Sequence, residues 1–192
     1  MIRPAQVSDL ALLADIERSA AQRFRGTPMG WAADGEPLPL DALAAAQADG
    51  LLWVALRDGQ ACGFALAKPM DGDLFLVEMS VALPAQGQGL GRALMQAVLV
   101  HARTAGRYGA VVLTTDRELL WNAPFYQRLG FVELTPPYSA GVHARLRTEA
   151  DAGFDAARRC AMAYPLRART LCQLASIATK SAGKRPRASA SG

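Results

Sequence analysis

Cysteine, histidine and long apolar runs are all scarce in this 192-residue chain. The three cysteines, Cys62, Cys160 and Cys172, are odd in number, widely spaced and without a Cys-x-x-Cys pair, which argues against a disulfide framework or a cysteine zinc site. Two lone histidines, His101 and His143, support no metal either, and none is expected. No apolar run approaches the roughly 20 residues of a membrane span, so no membrane partner is expected. The start, MIRPAQVSDL, lacks an apolar signal core and meets an acid early, which indicates neither a secretory signal nor a transit peptide and leaves the cytoplasm as the default compartment. Aromatic residues make up only 7%, so aliphatic packing must dominate the core.

What is present suits one soluble domain. The length allows a single substantial core, and 51% hydrophobic with 20% charged residues is an ordinary globular composition. The net charge of +4 is unevenly placed. Six of the 21 Lys and Arg residues follow Pro165 with no acid among them, leaving 15 basic against 17 acidic residues before it, a net −2. Residues 1–165 are therefore expected to form a mildly acidic domain. Residues 166–192 read as a basic tail, part terminal helix and part disordered, suited to solvation or to weak nucleic acid contact but to no specific nucleic acid partner.

Along the chain, a short extended start at Ile2–Ala5 leads to a helix that Ser8 can cap, with Leu10, Leu13 and Ile16 on one stripe. The segment GTPMGWAADGEPLP reads as a loop before a short helix near Leu40–Ala48. LLWVAL and ACGFALA flank Asp58-Gly59, the strongest short-range hairpin signal, and a second turn at Asp71-Gly72 leads into LFLVEMSVA, giving a three-strand meander. From Leu90 the period becomes helical (Leu90, Leu94, Ala97, Val98, His101), and the apolar strand AVVLTT follows, so this helix is expected to cross between parallel strands. A short helix from Pro124 ending at Gly130, a strand FVELT, a helix around Ala144–Ala152 and a strand RCAMAY complete the domain. The fold class is α/β, a mixed and largely antiparallel central sheet flanked by helices.

Gly87, Gly89 and Gly91 fall at alternate positions between a strand and a helix. Such a turn lets successive backbone N–H groups converge on one anion, and the helix start adds free amides and the positive end of its dipole. A bare strand-to-helix turn fits equally well. The spacing matches neither the dinucleotide Gly-x-Gly-x-x-Gly, because Arg92 stands at the third glycine, nor a Walker loop.

Gln86-Gly87-Gln88-Gly89-Leu90-Gly91 resembles the hallmark of the GNAT acetyltransferase superfamily, an Arg or Gln, two residues, Gly, one residue, then Gly or Ala at a strand-to-helix turn. The resemblance extends to the IRPA start, the meander and WNAPFYQRLGF, which is similar to the family's late Tyr-x-x-x-Gly-Phe segment and to a bacterial subgroup; it spans roughly residues 1–165. Two departures are visible: Pro84 is displaced by one position from the usual proline, and Asn122 stands four residues before Tyr126, closer than the commonest spacing. The resemblance implies acetyl-CoA as co-substrate. Met79, Ser80 and Val81 would bind its pantetheine arm through their backbone, Gln86, Gly87, Gln88, Gly89, Leu90, Gly91 and Arg92 would cradle the pyrophosphate, and Asn122 would contact the coenzyme.

Acetyl transfer to an amine needs a neutral nucleophile, a polarised thioester and a proton for the leaving thiolate. The resemblance points Tyr126 at the sulfur as acid; packing against Phe125 and Phe131 is the alternative. Strand alternation would put Glu78 beside Leu76 and Ser80, opposite Phe75, Val77, Met79 and Val81. There it is either a desolvated base or a glutamate solvated or paired to an arginine. Phe24, Met29 and Trp31 fall where the resemblance places the acceptor pocket, and core packing accounts for them as well. Asp34, Glu36 and Asp41 hint at a cationic amine; a solvated loop explains them too. The reading is direct acyl transfer from acetyl-CoA to an amine of a small molecule or peptide, with a homodimer left open. Its rival is a non-catalytic acyl-CoA sensor.

Overall fold

The computed structural model describes residues 1–166. The tail from residue 167 onward, with its expected helix and disorder, lies outside the described residues. Seven strands form one sheet in the order β1-β2-β3-β4-β5-β7-β6. They are β1 (Ile2–Pro4), β2 (Leu52–Arg57), β3 (Gln60–Met70), β4 (Asp73–Val81), β5 (Ala110–Asp116), β6 (Val132–Glu133) and β7 (Arg159–Pro165). Five helices accompany them: α1 (Leu10–Ala21), α2 (Leu40–Ala48), α3 (Leu90–Ala105), α4 (Ala123–Gln127) and α5 (Ala140–Asp151). The expected mixed, largely antiparallel α/β architecture is the one found.

The hairpins follow from their turns. Asp58 and Gly59, and again Asp71 and Gly72, both lie at positive φ, the backbone of the tight turn whose twist matches that of paired strands. β2, β3 and β4 are antiparallel, and β4 then meets β5 in parallel through α3. That parallel pairing is short: it covers Leu74 with Val111 and Phe75 with Val112, although β4 runs on to Val81 and β5 to Asp116. Beyond Phe75 the two strands part.

At the same level β4 carries an extra residue. Leu66 pairs with Glu78 but Ala67 pairs with Leu76, which leaves Val77 as a bulge. The bulge reverses the expected alternation. Leu74 and Leu76 pack under α3 together with Met79 and Val81, whereas Phe75 and Val77 pack on the opposite face. Glu78 and Ser80 therefore look toward the face of Phe75, not that of Leu76.

One face of the sheet is covered by α3, whose Leu94, Met95, Val98, Leu99 and Ala102 are buried against strands on both sides of the parting. The other face is covered in two pieces. Leu10, Leu13 and Ile16 of α1 and Leu43 of α2 pack on Val54, Phe64 and Leu66, and Val142 of α5 packs with Phe75, Val112 and Ala161. A seam is left between α1 and α5.

Three local expectations are corrected. Ser8 makes no capping bond, because it sits inside a 3-10 turn, Val7–Asp9; the turn is held by Asp9, whose carboxylate accepts the Gln6 N–H at 2.7 Å and two Arg3 guanidinium bonds at 2.7 and 2.9 Å. α5 begins at Ala140, earlier than expected, where Ser139 accepts the Val142 N–H. FVELT shrinks to two residues because β7 takes the place beside β5 and leaves β6 at the edge. His101, the last residue of the helical stripe, packs edge-on against Trp53 with ring centroids 5.3 Å apart.

Leu13 is fully buried and fixes α1 one turn before its inner face reaches the seam. Leu13→Ala is expected to cost about 3 kcal/mol, read as a lowered urea midpoint with an unchanged slope.

Candidate active site

The parting of β4 from β5 opens a cleft of about 830 Å³ along the seam. Its floor is β4 from Leu76 to Val81 and β5 from Leu113 to Thr115; one wall comes from α1 and the segment after it, the other from α5, β7 and the turn into α4.

At one end lies the glycine turn. Gly87 and Gly89 have φ of 75° and 83°, a left-handed backbone that side chains disfavour, whereas Gly91 is helical and faces Phe125 and Met79 at ordinary contact distances. α3 starts at Leu90 and its first internal acceptor is the Gly89 carbonyl, taken by Ala93, so the N–H groups of Leu90, Gly91 and Arg92 have no acceptor within the helix. Gln86 spends its side chain on the fold: its Nε2 donates to the Val81 carbonyl at 2.8 Å and its Oε1 accepts from Arg23 at 2.8 Å. Gln88 donates to the Pro84 carbonyl at 3.2 Å and does not line the cleft; nor do Asp34, paired with Arg25 at 2.6 Å, and Asp41, whereas Glu36 does. Arg92 does, and Arg92 and Arg128 also share a shallower depression of about 370 Å³ on the far side of Gly89.

In the middle stand Glu78 and Tyr126. Glu78 Oε1 accepts the Met79 N–H at 3.0 Å and the Ser80 hydroxyl at 2.9 Å, and Oε2 takes no partner among the described residues. Burial raises its pKa against those two bonds and against the attraction of Arg145 and Arg159. Tyr126 is 9% exposed and lies between Phe125 and Phe131 at ring distances of 5.1 and 5.6 Å, so the packing and cleft-facing readings of this residue hold together. Its hydroxyl has no hydrogen-bond partner among the described residues. Burial, with the Glu78 charge added, holds the phenol well above its ordinary pKa, so it keeps its proton throughout the neutral range. Asn122 caps α4 with its carbonyl, which accepts from Phe125 and Tyr126; Phe131 N–H returns to the Tyr126 carbonyl and closes the helix.

The opposite end holds residues that sequence reasoning missed. Glu17 of α1 lines the cleft and accepts the Leu38 N–H at 3.0 Å. Burial first, and the nearby Glu78 charge second, raise its pKa to about 7. Across from it, Glu149 is buried and receives Arg145 at 2.7 Å, Arg159 at 2.7 Å and the Thr114 hydroxyl at 2.7 Å. Phe154 sits edge-on to Trp31 at 4.8 Å and over the Arg159 guanidinium at 4.5 Å, so an aromatic pair spans the seam. The helical stripe of Leu13 and Ile16 continues to Glu17, a charge one step beyond a buried position, and this was the available signal. Met29 and Phe24 line the same wall, Met29 buried.

The seven-strand sheet and its flanking helices are shared with solved structures. The chain has the GNAT fold. It superposes on the ribosomal-protein-S18-alanine N-acetyltransferase of Escherichia coli with a TM-score of 0.60 at 21% identity, covering 86% of this chain and 93% of that one. It also superposes on the PaiA N-acetyltransferase of Thermoplasma acidophilum, solved in complex with coenzyme A, with a TM-score of 0.61 at 15% identity, covering 86% of this chain and 98% of that one. Residues 48–133, from the end of α2 to β6, match the family described as acetyltransferase (GNAT) domain. N-acetyltransferase family 8 member 2 of Rattus norvegicus is 35% identical over 105 residues, 52% of this chain and 46% of that protein, so the chain spans about half the length of this curated relative. Among the described residues no cluster of metal-ligating side chains occurs, and no helix is long and apolar enough to cross a membrane.

Because the native pKa of Glu17 is raised from 4.5 to about 7, its contribution to stability is complete below about pH 4.5 and is lost as pH rises through 7. Glu17→Gln keeps the Leu38 acceptor and removes that loss. The gain in melting temperature of the variant over the parent is expected to be larger at pH 8 than at pH 5.

Proposed function

We propose that this GNAT-fold protein transfers an acetyl group from acetyl-CoA to an amine, directly and with both substrates bound. The observation that carries the reading is the parting of β4 and β5 with the glycine turn at one end and, in the middle, a tyrosine whose hydroxyl has no partner among the described residues. Each part meets a distinct need of the chemistry.

Past Phe75, the edge of β4 that faces β5 has no strand to bond, so an extended amide-bearing chain such as pantetheine can add there as a strand would, on the backbone of Met79, Ser80 and Val81. The Gly87 to Arg92 amides, at the positive end of a 16-residue helix, suit the pyrophosphate. Gln86 and Gln88 contribute through the backbone and through the turn their side chains hold, and Asn122 through the cap that aims Tyr126. Arg92 and Arg128 supply positive charge for further phosphate.

Glu78 takes a proton from the incoming ammonium on Oε2; its raised pKa makes it a better acceptor than a solvated carboxylate. The amine nitrogen then bonds to the thioester carbon and the carbon–sulfur bond breaks. The thiolate takes the Tyr126 proton, and the second nitrogen proton restores the phenol through water. Neither described cysteine, Cys62 or Cys160, is among the residues lining the cleft, so direct transfer is preferred to a thiol acyl-enzyme.

Thiol release from acetyl-CoA in the presence of amines tests the reading, with free coenzyme binding measured in parallel. Tyr126→Phe is expected to lower kcat about 100-fold while leaving coenzyme affinity within about twofold. Glu78→Gln is expected to lower kcat/KM most steeply at low pH. Binding without thiol release by any amine would make the protein a sensor; an unchanged rate in Tyr126→Phe would remove the tyrosine from the chemistry.

A further inference from the structure

We propose that Glu17 binds the ammonium group of the acceptor, and that the acceptor is a cationic primary amine carried on an apolar or aromatic body. This rests on the acetyl-transfer reading above and names the substrate class of that same cleft.

Four observations converge. Glu17, toward the end of the cleft away from the glycine turn, and Glu78, in its middle, stand on α1 and β4, each with one carboxylate oxygen tied to backbone and the other, Glu17 Oε1 and Glu78 Oε2, without a partner among the described residues. The hydroxyl of Tyr126, a residue nine-tenths buried, likewise has no partner among the described residues, and Tyr126 lines the same space. Of the five arginines lining the cleft, Arg92 and Arg128 lie by the glycine turn, Arg23 is bonded to Gln86, and Arg145 and Arg159 are committed to Glu149, which leaves Glu17, Glu36 and Glu78 without a bonded guanidinium. Finally, Phe24, buried Met29, Trp31 and Phe154 form an apolar wall beyond the carboxylates.

Two carboxylates brought together in a partly desolvated cleft repel, and an ammonium placed between them removes the repulsion while pairing with both. An acceptor of this kind arrives charged, because an alkyl ammonium has a pKa of about 10. Glu78 then accepts one proton and releases the amine for attack, while Glu17 remains ionised and holds the departing hydrogens of the nitrogen. A carboxylate next to the amine would meet the like charge of Glu17 and Glu78, so free amino acids are poorer acceptors.

The groups facing Glu17 are Glu78 from β4, Arg18 on its own helix and the Leu38 N–H, with Glu36 on the same wall and Arg145 and Arg159 opposite. Since Glu17 titrates near 7, kcat/KM for the amine is expected to rise with pH through that value.

The test uses the full chain, acetyl-CoA, 2-phenylethylamine and L-phenylalanine, with thiol release followed from pH 5.5 to 9. The amine is expected to exceed the amino acid by at least tenfold in kcat/KM. Glu17→Gln is expected to raise KM for the amine tenfold or more, leave KM for acetyl-CoA unchanged and abolish the rise near pH 7; Glu17→Asp should restore part of the pH response. Equal use of phenylalanine overturns the substrate class, and an unchanged amine KM and pH profile in Glu17→Gln overturns the role of Glu17. Thiol release that is insensitive to Glu17, or release with other amines but not 2-phenylethylamine, overturns this proposal and leaves the acetyl-transfer reading standing, whereas coenzyme binding with no release from any amine overturns both.

Discussion

The parallel pairing of β4 and β5 lasts two residues and then stops, and the other features of the site are consequences of where it stops. With the strands joined to their ends, the sheet would be continuous and α3 would simply cover it. Because they part after Phe75, the backbone of Leu76 to Val81 borders open space, and the glycine turn at the end of β4 lands at the mouth of that space. The extra residue at Val77 belongs to the same event. It keeps Met79 and Val81 packed under α3 while turning Glu78 and Ser80 to the seam between α1 and α5, so one local irregularity both anchors the strand and delivers a carboxylate.

The electrostatics of the cleft follow from this shape. A seam between two helices is only partly wetted, so the charged forms of groups that enter it are disfavoured. Glu17 and Glu78 have no guanidinium bonded to them and are pushed up, whereas Glu149, equally enclosed, is bonded by Arg145 and Arg159 and held below its ordinary value. Tyr126 is pushed the same way and so stays protonated. The cleft thus keeps proton acceptors and a proton donor within one space at neutral pH, the pairing that transfer from a thioester to an ammonium requires.

Much of this was legible in the residues, for reasons that differ by element. Asp58-Gly59 and Asp71-Gly72 announce hairpins because their backbone is local, and the stripe from Leu90 to His101 announces a helix because its period is local. The glycine turn was legible as a strand-to-helix turn because its left-handed backbone at Gly87 and Gly89 is local. What alternation could not show is the bulge: a strict two-residue period puts Glu78 with Leu76, and only the pairing with β3 reveals the extra residue. Glu17 escaped notice because its meaning depends on β4, about 60 residues on in the chain. The insertion of β7 beside β5, which delivers Arg159 to Glu149, is likewise a long-range choice that no window of sequence records. The side chain of Gln86, nominated with the pyrophosphate cradle, is bonded to the Val81 carbonyl and to Arg23, two long-range partners that its own segment does not announce.

The most direct test of the account is a titration of the nitrogen-15-labelled protein with coenzyme A, followed amide by amide. Saturable shifts largest at Gly87, Gly89 to Arg92 and at Leu76 to Val81 are the predicted result, because those residues line the opening between the parted strands and its glycine end. No saturable binding, or shifts concentrated away from β4 and the start of α3, would contradict it.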